Sequence, residues 1–106
     1  MSGWQDKSDF EINEAVALTL FEGCIPYFDE CECKSMVNLE IPLYDDFEFD
    51  PCNNPSDAWS IILENNIIIE PRKNNTSLAY IKGDAQNEDK NPLRAAMIVY
   101  LEMNNA

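Results

Sequence analysis

The segment "NPLRAAMIVYLEM", residues 91 to 103, constrains the fold more than any other stretch of the chain. Asn91 is suited to cap a helix, and Pro92 to take its first position, where the missing amide hydrogen costs nothing. At about 100° per residue, Leu93, Ala96, Met97, Tyr100 and Leu101 fall on one side, with Ile98 and Val99 flanking them. Only the strip of Arg94, Ala95 and Glu102 suits water. A helix apolar over most of its circumference is buried on more than one side. It is therefore expected to lie against a sheet and to be covered further by another helix or by a second copy of the chain. The second copy makes a homodimer one expectation.

Upstream, "SDFEINEAVALTLF" begins with Ser8 and Glu11 in capping-box spacing, and Ile12, Ala15, Val16 and Thr19 recur at helical intervals. Gly23 can end that helix. Residues 1 to 7 read as a frayed start from which Trp4 can fold back. The period then changes. Val37, Leu39, Ile41 and Leu43 alternate with polar positions as a half-buried strand, and Pro42 marks it as an edge or a bulge. "IPYFDECECK" is a second strand candidate. Phe47 and Phe49 form a short strand or an aromatic-anchored loop.

"NNPSDAWSIILENN" repeats the Asn-Pro start with Asn54 as cap, and Ala58, Trp59, Ile62 and Leu63 as its inward stripe. Asn65 and Asn66 can end it in the left-handed conformation. "IIIEPR" and "SLAYIKG" read as a hairpin across "KNNT", and "GDAQNEDK" reads as a polar loop. The expectation is one α+β domain over residues 1–106. It has a small antiparallel sheet of about 3–5 strands with three helices packed on it, in the order α-β-β-α-β-β-α.

Composition bounds the function. An apolar fraction of 45% excludes intrinsic disorder despite a net charge of −13. No run is long enough to cross a membrane, and "MSGWQDKSDF" has no basic region followed by an apolar stretch, so a cytoplasmic protein is expected. Charge is lopsided: residues 1–50 carry thirteen acids and two lysines, a net of −11, and residues 51–106 carry seven acids and five bases, a net of −2. Such a chain repels nucleic acid and can attract a basic host or phage protein. Asp29, Glu30, Glu32, Asp45, Asp46, Glu48 and Asp50 are the candidate acidic surface, which equally serves as a solvated face.

Catalytic chemistry finds little support. The chain has no histidine, and its three glycines are not clustered into a phosphate loop. "DDFEFDPCNN" lacks the glycine and closing glutamate of a calcium loop. The cysteines, spaced C-x6-C-x-C-x18-C, match no zinc knuckle or ribbon, so free thiols and no metal or cofactor are expected. Asp45 and Asp50 could form an acid–base pair, but acids are so common that any two would look paired.

Arg94 is the most informative polar residue. In the first turn it opposes the helix dipole at a cost of a few tenths of a kcal/mol to about 1. Two readings stay open: an ion pair with Asp57 or Glu88 or a fork onto loop carbonyls, and an anion-binding arginine aided by the helix starts. Trp59, Asn53, Asn54 and Asn91 would complete a ligand site with Arg94. Against that, Trp59 reads first as core and the asparagines as caps and turns.

The stretches "FDPCNNPSDAW" and "NPLRAAMIVYLEM" resemble signatures of the phage NinX-like family, and "KSDFEINEAVA" resembles that family's opening "SDFEIN" helix. Together they cover about a third of the chain, at its start, middle and end. The resemblance implies a small cytoplasmic accessory protein of a phage or prophage and leaves its chemistry open. Two functions are then in view. One is a non-enzymatic binding module engaging a basic protein through the acidic surface. The other is a binder of a nucleotide-like small molecule at Trp59, Arg94 and the asparagines.

Overall fold

The computed structural model describes residues 3–20, 25–27, 37–40, 47–83 and 85–104. Three α-helices and six strands follow one another along these residues. Helix α1 (Asp9–Leu20) starts at the capping box. The Glu11 amide donates to Ser8 Oγ at 3.1 Å, and the Ser8 amide donates to Glu11 Oε1 at 3.2 Å. Its buried residues are Ile12, Asn13, Val16 and Ala17. The expected stripe of Ile12, Ala15, Val16 and Thr19 is thus rotated. The helix turns Asn13 inward because its amide finds partners there. Ahead of it, Trp4–Asp6 form a 3-10 turn rather than a frayed start, and Trp4 packs against the core.

Strands β1 (Ile25–Tyr27), β2 (Val37–Glu40) and β3 (Phe47–Phe49) form an antiparallel sheet in that order, with Val37 opposite Phe49. Phe47–Phe49 is therefore a strand and not a loop. Strand β2 is central, where the sequence suggested an edge or a bulge. It ends at Glu40, and Pro42 lies outside the described residues. Cys24, Cys31 and Cys33 lie outside them as well.

Helix α2 (Pro55–Glu64) is capped by Asn54, whose side chain accepts from the Ser56 amide at 3.0 Å. Its buried residues are Ala58, Ile61 and Ile62. The expected stripe of Ala58, Trp59, Ile62 and Leu63 is corrected accordingly, for Trp59 and Leu63 face solvent. Asn66 (φ 55°) takes the left-handed conformation after the helix, and Asn65 instead donates its side-chain amide to the Ile61 carbonyl.

The second sheet has the order β4 (Ile68–Pro71), β5 (Ser77–Tyr80), β6 (Gln86–Asp89), antiparallel throughout. The turn between β4 and β5 places Asn74 and Asn75 at positive φ (68° and 61°), as "KNNT" suggested. Gly83, at φ 77°, turns the chain toward β6. Strand β6 was expected as part of a polar loop. Its residues, Gln-Asn-Glu-Asp, hide the strand because only Asn87 is fully buried. The α+β class with three helices and antiparallel pairing holds, and the strands divide into two sheets of three.

Helix α3 (Pro92–Met103) lies at the centre. Every residue from Ala95 to Leu101 is buried, Ala95 included, which corrects the solvent strip that spacing predicts. The helix packs on β5 and β6, touches β4, and is covered by α1 and α2. The cover thus comes from the chain itself, and the surplus apolar surface that suggested a second copy is used up internally. Each fully buried Ile, Val, Leu or Met contributes about 1.5–3 kcal/mol. Met97, Ile98, Val99 and Leu101 together therefore match the whole net stability of a small domain, about 5–15 kcal/mol.

Candidate functional site

Three helix starts converge at one polar cluster, and Arg94 is its centre. Arg94 Nε donates to Asp89 Oδ2 at 3.1 Å and Nη1 donates to Asp9 Oδ1 at 2.5 Å. Nη2 donates to the carbonyls of Lys7 at 2.7 Å and Gln5 at 3.1 Å. The side chain is 13% exposed. Both parts of the intramolecular reading are thus realised, the ion pair and the fork onto loop carbonyls. The partners are Asp9 and Asp89 rather than Asp57 or Glu88. Asp57 accepts the Asp50 amide (2.9 Å), and Glu88 accepts the Thr76 hydroxyl (2.5 Å).

The asparagines extend the cluster. Asn91 caps α3, accepting from the Leu93 and Arg94 amides at 2.9 and 3.3 Å. Its side-chain amide also donates to the Cys52 carbonyl (2.6 Å) and to Asn53 Oδ1 (3.2 Å). Asn53 donates to Asp9 Oδ2 at 3.1 Å and to Asp50 Oδ1 at 3.2 Å. From α1, Asn13 donates to Asp50 Oδ1 at 2.7 Å and accepts the Cys52 amide at 3.1 Å. The loop from Asp50 to Asn54 is thereby clamped between α1 and α3.

Physical chemistry accounts for this composition. Each helix start carries about half a positive charge, and Arg94 adds a full one. Asp9, Asp50, Asp57 and Asp89 offset that charge at short range. Asp50 is therefore not surface acid: it is 9% exposed, which corrects its place in the acidic patch. The Cys52 thiol is buried, and burial first, then the Asp9 charge, pushes its pKa up. Such a thiol is a poor nucleophile, so thiol reagents should label Cys52 only after unfolding.

Among the expected site residues, Arg94, Asn53 and Asn91 come together, and their polar atoms are engaged within the chain. The Asn54 side chain serves as a cap. Trp59 takes no part in the network. With Pro55 and Ser56 it borders an open hollow at the start of α2. Asp29, Glu30, Glu32, Asp45 and Asp46 lie outside the described residues, and Glu48 is placed only as backbone in β3. Sequence reasoning missed Asp9, Asn13 and Asp89. Asn13, flanked by buried Ile12 and Val16, was the available signal, since a polar residue beside an apolar stripe needs a buried partner.

No group of three or more acids or cysteines able to hold a metal occurs among the described residues, nor does a helix long and apolar enough to cross a membrane. No curated protein and no solved structure matches the chain. The family model described as Bacteriophage P22, NinX matches residues 5–104.

Proposed function

Since the chain belongs to the bacteriophage P22 NinX family, we propose that it is a non-enzymatic phage accessory protein that works in the cytoplasm by binding a basic protein. The supporting observation is electrostatic. The chain has a net charge of −13 and only seven bases. Three of these are already paired: Arg94 with Asp9 and Asp89, Arg72 with Glu70, and Lys7 with Glu11. The field at the surface is therefore strongly negative and attracts positive charge, host or phage in origin. Surface carboxylates stand in for phosphates before a partner that normally handles nucleic acid.

The small-molecule reading loses its anchor. An arginine that already holds two carboxylates and two carbonyls has little left for an external anion. The same holds for acid–base catalysis at Asp50, whose carboxylate accepts from Asn13 and Asn53.

Capture from host lysate on the immobilised chain, at low and at high salt, tests the proposal. A basic protein retained at low salt and released at high salt is the expected result. Retention of nothing at either salt, or of acidic proteins indifferent to salt, would overturn it.

A further inference from the structure

Among the described residues, none covers the outer side of α2. Trp59 and Leu63 stand four residues apart, so they are neighbours on one helix face. They are 60% and 56% exposed. Ser56, Ser60 and Glu64 share that exposed side, and the hollow beside Pro55 and Ser56 adjoins the Trp59 ring. The fold does not need these two side chains, because Ala58, Ile61 and Ile62 supply the helix's buried contacts. A tryptophan with most of its surface in water leaves its large apolar area available to a partner, and tryptophan is enriched among residues that dominate interfaces.

Charge narrows the partner. Glu64 stands on the exposed side beside Leu63, α2 has no base, and the chain carries a net charge of −13. An acidic surface would be repelled from this face. A lysine or arginine would be drawn to it, and the face of an indole ring is the best aromatic acceptor for such a cation.

We propose that the outer face of α2, centred on Trp59 and Leu63, docks a basic amphipathic segment of a partner protein. An apolar side chain of that segment lies against Leu63, and a lysine or arginine lies over the Trp59 ring. The inference rests on the protein-binding reading above and names the surface that performs it.

A random-peptide library panned at low salt against the full chain, its Trp59→Ala variant and its Leu63→Ser variant provides the test. Circular dichroism checks that each variant is folded. The expected winners on the full chain carry lysine or arginine around an apolar anchor and bind each variant at least about tenfold more weakly. Basic winners that bind all three chains equally would overturn this surface while leaving the charge-based reading intact. Winners without basic residues, or no winners, would overturn both. Self-association of the full chain that disappears in Trp59→Ala would also overturn the inference, because the face would then belong to a second copy.

Discussion

Helices α2 and α3 begin with the same two residues, Asn-Pro, and both are capped by the asparagine side chain. Beyond the first turn they differ completely. Helix α3 is buried from Ala95 to Leu101, whereas α2 keeps three buried positions and exposes Trp59 and Leu63. The local signal thus sets where a helix starts and is silent about its surroundings. Those depend on what else the chain can bring, and here α3 receives the second sheet and two helices.

The largest expected contrast lies between the buried side of α3 and the outer side of α2. Leu101→Ala or Met97→Ala should cost about 2–5 kcal/mol in urea unfolding, through lost burial and a residual cavity. Leu63→Ala should cost less than about 0.5 kcal/mol, as an exposed position. Equal losses would erase the distinction between the helices.

The caps sharpen it at a smaller scale. Asn54→Ala should lose about 1 kcal/mol, the ordinary worth of a cap. Asn91→Ala should lose about 2 kcal/mol, because the Cys52 carbonyl and Asn53 also lose a donor. If the two caps prove equal, the clamp on the Asp50–Asn54 loop contributes nothing.

The smallest effect is at α1, the helix with an Ser8–Glu11 box in place of Asn-Pro. The Ser8 backbone amide, then its hydroxyl, holds the Glu11 carboxyl below its ordinary pKa. A carboxyl lowered in the folded state stabilises above its unfolded value and loses that contribution as pH falls through the folded one. The wild type should therefore melt slightly above Glu11→Gln near neutral pH. That margin should close in acid, below the ordinary glutamate range, in melting curves taken across pH.

Much of this architecture was legible because caps and turns are local. Ser8, Glu11, Asn54, Pro55, Asn91, Pro92 and the asparagines of "KNNT" act within a few residues of themselves. The interior character of α3 was legible too, because its apolar residues leave almost no polar face. What escaped depends on distance in the chain. Strand β6 has a polar sequence and exists because β5 offers it a ladder; its one buried side chain, Asn87, finds no hydrogen-bond partner among the described residues. The orientation of Trp59 could not be read from spacing, since Ile61 and Ile62 fit the same helix face equally well. Arg94 stands out in the sequence by its conflict with the dipole, yet its partners lie five and 85 residues away. Asp57 and Glu88 were equally reasonable until the fold brought Asp9 to the place.

That arginine is where the account is most exposed to test. Urea unfolding of Arg94→Gln, Asp9→Asn and the double variant measures whether the two residues act as one unit. A partly buried ion pair broken on one side leaves an uncompensated charge, so each single change should cost about 2–3 kcal/mol and the double change clearly less than their sum. Strictly additive losses, or an Arg94→Gln protein as stable as the wild type, would contradict a structural role for Arg94 and return it to the surface as a residue free to bind.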